Sequence, residues 1–293
     1  MISEEILKKV RRIEIISRKS SQEIFAGEYH STFKGRGMEF SEVREYVTGD
    51  DIRFIDWNVS SRMGKLYVKQ FVEERELTVI LAIDLSASLN FFSKAKSKKE
   101  IAAEISAIIA FTASLNNDKV GLLIFTDKVE RFIPPKKGRT HILRIIREIL
   151  NFQPRERGTS IDTCLVYLNK VIKKKAILFL LSDFIDQDFQ QSLKIAARKH
   201  DFIAVKISDL RETTLPKTGI FILKDQETGE EFFVDFSATK TKTAFLQDYQ
   251  KNETQLLETF KKYDVDYIFI DSEKDFEKPL FDFFMKRRKK FIR

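Results

Sequence analysis

Asp84, Ser86 and Ser88 set a carboxylate and two hydroxyls at alternate positions of one short stretch. Oxygens so placed at the tip of a strand can hold a hard cation. Alone the pattern is weak, because a strand that ends in a polar loop often carries Asp and Ser for turn geometry. Two other places sharpen it. Gly158-Thr159-Ser160 stands just before a helical segment, where an N-cap by Thr159 or Ser160 is the ordinary explanation. Ser182-Asp183 closes a second apolar run, where a turn is the ordinary explanation. The conjunction is harder to explain away: two apolar runs both end in Asp, and a Thr loop falls between them in sequence.

These side chains need elements to position them. Residues 77–83 are apolar at six of seven positions, broken only by Thr78. Such a run reads as a strand buried on both faces of a helix-covered parallel sheet, and 176–181 reads the same way. Helical spacing follows over 98–115, where Ile101, Ile105, Ile108, Ile109 and Thr112 share a side. Further helices are expected over 140–150, 161–172, 189–198, 240–262 and 275–290, with strands over 120–125, 128–133, 202–207 and 266–270. The strands 120–125 and 128–133 should form a hairpin that Pro134-Pro135 ends. Residues 220–223 and 231–234 flank Asp225 to Gly229 and read as a second hairpin, inserted near 211–239. Alternation of this kind predicts an α/β fold, a mainly parallel sheet with helices on both faces. Open sheets of that class place ligands at the carboxyl ends of strands.

Ahead of the sheet, Ile2, Ile6, Leu7, Val10, Ile13 and Ile16 give 2–25 a helical spacing. Residues 27–76 are glycine-dotted, densely charged and carry the single tryptophan, Trp57, and read as an irregular region with short strands such as 66–71. The expected division is therefore an N-terminal helix and irregular charged lobe over 1–76, then the α/β domain over 77–293.

Composition narrows the class. Of 293 residues, 43% are hydrophobic, enough for a sizeable core, and 33% are charged. No apolar run is long enough to span a membrane, and the charged start does not look like a secretory signal. The single cysteine, Cys164, allows no intrachain disulfide and fits a reducing compartment. These features point to the cytoplasm. The net charge of +8 collects at the two ends of the chain, which argues against sequence-reading of nucleic acid as the main role.

The order Asp84-x-Ser86-x-Ser88, Thr159, Asp183 resembles the metal-ion-dependent adhesion site of von Willebrand factor A domains, over about residues 77–272. The resemblance implies that Ser86, Ser88 and Thr159 bind Mg²⁺ or Mn²⁺ directly, with Asp84 and Asp183 acting mainly through water. A shell of neutral hydroxyls would leave the cation largely uncancelled and drawn to a carboxylate from another protein. The preceding block narrows the likeness. Gly35-Arg-Gly-Met-Glu-Phe40, Arg44-Glu-Tyr46, Gly49-Asp-Asp-Ile-Arg53, Ile55-Asp-Trp57, Gln70-Phe71 and Glu74-Arg-Glu-Leu77 resemble the bacterial domain of unknown function family 58. Proteins of that family are usually encoded beside a MoxR-type AAA+ ATPase, so the resemblance implies such a partner.

Within that block Arg36, Arg44, Arg53, Asp50, Asp51 and Asp56 are too many charges for a plain core. A network of ion pairs that pins an irregular segment, with Trp57 as its hydrophobic anchor, is the favoured reading over ligand contact. Nucleotide hydrolysis by this chain is not expected, since neither a phosphate-binding Gly-x-x-x-x-Gly-Lys loop nor a Gly-x-Gly-x-x-Gly turn occurs. His30, His141 and His200 are scattered, the last two read as surface or capping groups, and Cys164 reads as a core thiol. Ser86 and Ser88 have no nearby histidine base. The leading expectation is a metal-dependent protein-interaction module without enzymatic activity. A Mg²⁺-dependent hydrolase and a scaffold with an empty site are the alternatives.

Overall fold

The structure is a computed structural model that describes residues 8, 11–14, 16, 39–72, 76–90, 97–209, 219–224 and 230–291. The chain divides into two units, Phe33–Leu77 on one side and Met1–Thr32 with Thr78–Arg293 on the other.

In the smaller unit, β1 (Glu39–Glu45) pairs antiparallel with β2 (Tyr67–Val72). Between them lies α1 (Trp57–Met63), which begins because the Asp56 carboxylate accepts the free N–H groups of Asn58 and Val59. It ends at Gly64, whose φ of 68° is a left-handed turn that glycine takes without strain. The charges of this block pair locally. Arg44 grips Asp50 with two hydrogen bonds of 2.7 and 2.6 Å, and Arg53 stands on Asp51 at 2.6 Å. The Arg44 bond holds the Asp50 carboxyl below the usual carboxylate range. Arg36 lies outside the described residues. The expected anchoring role of Trp57 is not seen: its side chain is 67% exposed, while Ile55 and Val68 are the buried apolar pair. A helix of seven residues has little inward face, and in α1 Ser60 takes it.

The larger unit is built on a six-stranded sheet. Its strands are β3 (Thr78–Asp84), β4 (Lys119–Phe125), β5 (Val129–Lys136), β6 (Ile177–Ser182), β7 (Asp201–Ser208) and β10 (Asp266–Asp271). They lie in the order β10-β7-β6-β3-β4-β5, all parallel but for the edge strand β5. Renumbered one to six along the chain, this is the doubly wound order 3-2-1-4-5-6. It is the mostly parallel α/β sheet that the alternation of strands and helices in the sequence predicts. The sheet reverses direction of growth between β3 and β6, the place where open α/β sheets form a crevice.

Helices cover both faces because both faces are apolar. The helices are α2 (Lys98–Leu115), α3 (Arg139–Asn151), α4 (Ile161–Val171), α5 (Gln190–Lys199), α6 (Thr239–Lys262) and α7 (Glu277–Phe291). Ile80, Ala82, Leu178, Leu180, Leu123 and Phe125 point to one side, where they pack with Leu165 and Leu168 of α4, Leu193 of α5 and Phe260 of α6. Alternate residues of the same strands face the other side, and α2 and α3 lie together there against β3 and β4. Every side chain from Val79 to Ile83 is buried. Each large aliphatic one contributes about 1.5–3 kcal/mol of burial.

Two local departures have physical causes. Pro134-Pro135 does not end β5, which runs on to Lys136. The strand is an edge, and its register shifts opposite 120–122, so two residues without a normal ladder bond are tolerated there. The strands β8 (Ile220–Lys224) and β9 (Glu231–Asp235) form a separate antiparallel pair with Ile222 opposite Phe233.

Candidate functional site

The tips of β3 and β6 are neighbours, since Ile83 pairs with Leu181. That register puts Asp84 level with Ser182 and leaves Asp183 one residue beyond, at the same carboxyl edge. Asp84 sits deeper than a strand tip suggests. Its carboxylate is fully buried. Oδ1 accepts the Ser86 N–H at 2.9 Å, and Oδ2 accepts the Ser182 hydroxyl at 2.7 Å. The first bond is the turn that the ordinary explanation calls for. The second is a tie between strands. Burial, with the nearby Asp183 charge second, pushes the Asp84 carboxyl up to about 7.

Ser86 and Ser88 lie beyond the turn with their hydroxyl oxygens 3.0 Å apart. Ser86 is buried and Ser88 half-buried. The Thr159 loop is held to the same edge by the backbone: Ala87 N–H donates to the Arg157 carbonyl at 3.0 Å, and Ser160 N–H donates to the Thr126 carbonyl at 2.9 Å. Thr159 lies between those two anchors. Capping of α4 falls to Ser160, whose hydroxyl accepts from Thr163 N–H, and to Asp186, which takes the Ile161 N–H at 2.6 Å. Ser160 and Asp186 thus share the N-terminus of α4.

After Asp183 the chain turns sharply. Phe184 has φ 57°, a left-handed conformation that is costly for a bulky side chain and persists only where the surroundings impose it. Here Phe184 is buried edge-on against Phe260, centroids 5.4 Å apart, and its N–H donates to the Ser182 hydroxyl.

One residue of this site carried no expectation. Lys98, the first residue of α2, reaches Asp183 with Nζ 3.3 Å from Oδ2, and both side chains are 1% exposed. Spacing holds the missed signal. Positions 98, 101, 105, 108 and 112 share one side of α2, so Lys98 continues the apolar stripe and must be buried with it.

The arrangement offers oxygen donors of the hard kind: two hydroxyls in contact, a third on a loop fixed beside them, and two carboxylates. Among the described residues no three His, Cys, Asp or Glu side chains gather to hold a metal. A cation here would rest on hydroxyls as much as on carboxylates. Were a hard cation to bind here, Ser86, Ser88 and Thr159 would be the hydroxyls at hand, and Asp84 and Asp183 would supply the negative charge.

Other singled-out residues stand apart. Cys164 is buried in the core, and its thiol is pushed well up by burial. His200 is a capping group and not a surface one: it is the buried C-cap of α5, its backbone N–H donating to the Ala196 carbonyl and its Nδ1 accepting the Ala176 N–H at 3.3 Å. His141 is half-buried with Nε2 2.9 Å from the Val120 carbonyl oxygen.

The family described as "Protein of unknown function DUF58" matches residues 42–255. The uncharacterized proteins Mb1516 of Mycobacterium bovis and Rv1480 of Mycobacterium tuberculosis are each 29% identical over 231 residues, 77% of this chain and 73% of theirs. Among solved structures, the conserved hypothetical protein BatB from Bacteroides thetaiotaomicron is similar at 15% identity and TM-score 0.47, over 73% of this chain and 99% of its own. The SpRpn10 VWA domain is similar at 8% identity and TM-score 0.41, over 70% and 94%. No helix among the described residues is long and apolar enough to cross a membrane.

Proposed function

The chain belongs to the DUF58 family, and on that footing we propose that it is a protein-interaction module whose strand-tip site holds Mg²⁺ or Mn²⁺ and receives a carboxylate from a partner. The partner proposed is a MoxR-type AAA+ ATPase or a protein that such an ATPase acts on. The observation that carries the reading is the convergence of Asp84, Ser86, Ser88, the Thr159 loop and Asp183 at the crevice between β3 and β6. A cation bound largely by neutral hydroxyls keeps much of its charge, and an Asp or Glu side chain from outside completes its coordination. A catalytic metal centre holds its cation mainly through carboxylates, so a donor set this rich in hydroxyls suits recognition better than hydrolysis.

Exposed apolar side chains give the reading a second support. Val47, Ile52, Trp57 and Met63 are exposed in the smaller unit, and Ile220, Ile222 and Phe233 on one face of the β8–β9 pair. Apolar groups gathered on one face, as on that pair, are what binding surfaces offer.

The test is retention of a MoxR-type ATPase on the immobilised protein, with and without EDTA, crossed with Ser86→Ala. EDTA and the substitution should each weaken binding, and the two together should cost little more than one, since both remove the same contact. Binding indifferent to both would move the interface away from the strand tips.

A further inference from the structure

We infer that the Lys98 ammonium is the resident cation of the strand-tip site, and that a divalent cation entering there must displace it from Asp183. The inference starts from a lysine where three effects oppose it. Lys98 occupies the first position of α2, next to its cap Ser97, so its charge faces the positive end of the helix dipole. Its side chain is 1% exposed, and an ammonium withdrawn from water is strongly disfavoured unless paired. The helix cap is already complete without it, because Ser97 and Glu100 bond each other's backbone reciprocally. What repays burial is negative charge, and the Asp183 carboxylate stands 3.3 Å away, with that of Asp84 held near it by the pairing of β3 and β6.

The five oxygen-bearing side chains and Lys98 therefore compete for one charge balance. With both acids ionised, two carboxylates and one ammonium leave a net charge of −1 at the strand tips. A divalent ion added to all three would instead leave +1 in a buried place. With Lys98 swung away, two carboxylates and one divalent ion come to neutrality. Lys98 thus acts as a positioning residue that sets how readily the site takes a metal. This second half rests on the cation-site reading above; the first half does not.

A two-armed experiment separates the halves. In EDTA at pH 7.5, thermal unfolding is compared for the unaltered protein, Lys98→Met, Asp183→Asn and the double variant. Each single variant strands one buried charge and should melt lower, and the double variant should lose much less than the sum. A double variant that loses the full sum, or fails to fold where the singles do, overturns the resident-cation assignment. In the second arm Mn²⁺ is titrated calorimetrically into the unaltered protein and Lys98→Met. Removal of the ammonium should tighten Mn²⁺ by about tenfold to a hundredfold, the range over which an adjacent charge shifts an ionic equilibrium. Equal affinities overturn displacement and leave the cation-site reading standing. Mn²⁺ bound by neither protein overturns both that reading and displacement, and the first arm still decides whether Lys98 is the resident cation.

Discussion

The Ser182 hydroxyl donates to Asp84 Oδ2 at 2.7 Å and joins two strand tips that are 98 residues apart in sequence. The same oxygen accepts the Phe184 N–H at 3.0 Å. One hydroxyl thus fixes both the carboxylate of β3 and the turn that follows β6. It also favours the charged form of an acid that burial pushes toward neutrality.

Ser182→Ala should therefore cost about 1–3 kcal/mol of stability at neutral pH, the range for a buried acceptor that loses its donor. Urea unfolding of the metal-free protein measures it. A loss below a few tenths would show that water replaces the hydroxyl.

His200 predicts an acid-sensitive window. Burial, with Lys199 second, lowers its imidazolium to about 4 from an ordinary 6.5. The folded protein thus holds the neutral ring, which accepts the Ala176 N–H. Stability from this residue is fully present above pH 6.5 and is lost as pH falls from there toward 4. His200→Asn offers an amide oxygen in place of Nδ1 and does not titrate, so its melting temperature should fall less across that window. Parallel melting curves for the two proteins would rule this residue out as the source.

Gly121 of β4 is needed for its lack of a side chain. A Cβ there would lie 3.0 Å from Ile80 Cδ1, 3.1 Å from the Ile133 carbonyl oxygen and 3.1 Å from Pro135 Cγ. Because the Ile133 oxygen belongs to the paired strand, it cannot swing aside. Gly121→Ala should lower stability by about 1–3 kcal/mol through overpacking, read by denaturant midpoint. An unchanged midpoint would mean that the edge strand moves freely.

Trp57 gives the opposite expectation. At 67% exposure, Trp57→Ser should change stability by no more than about 0.5 kcal/mol. A loss of several kcal/mol, seen by thermal unfolding, would restore its role as an anchor.

The contrast between Trp57 and Asp84 shows what a sequence of this kind discloses. The runs 77–83 and 176–181 are legible because a strand apolar on both faces leaves no alternative to the middle of a covered sheet, and their polar terminators mark the carboxyl edge. Val129–Lys136 was partly obscured because two prolines look like a stop until the strand is known to be an edge. Trp57 misled because large aromatic side chains are usually buried, and only the length of α1 shows that no inward face is available. Lys98 escaped notice because lysine is expected in water. Its place on the stripe of α2 was visible, but the acid that justifies burial arrives 85 residues later. Which atoms meet across such a gap is decided by strand pairing, which local spacing does not encode.

The helix α6 has 24 residues, which at 1.5 Å per residue makes a rod about 36 Å long. Near its start Phe245 touches Phe236, which in turn meets Phe221 of the exposed β8–β9 pair. Near its end Phe260 lies edge-on to Phe184, the left-handed residue that follows Asp183. Aromatic joints thus stand at both ends of a stiff lever. A displacement of β8–β9 would be passed to the turn that follows Asp183 through packed rings and one helix.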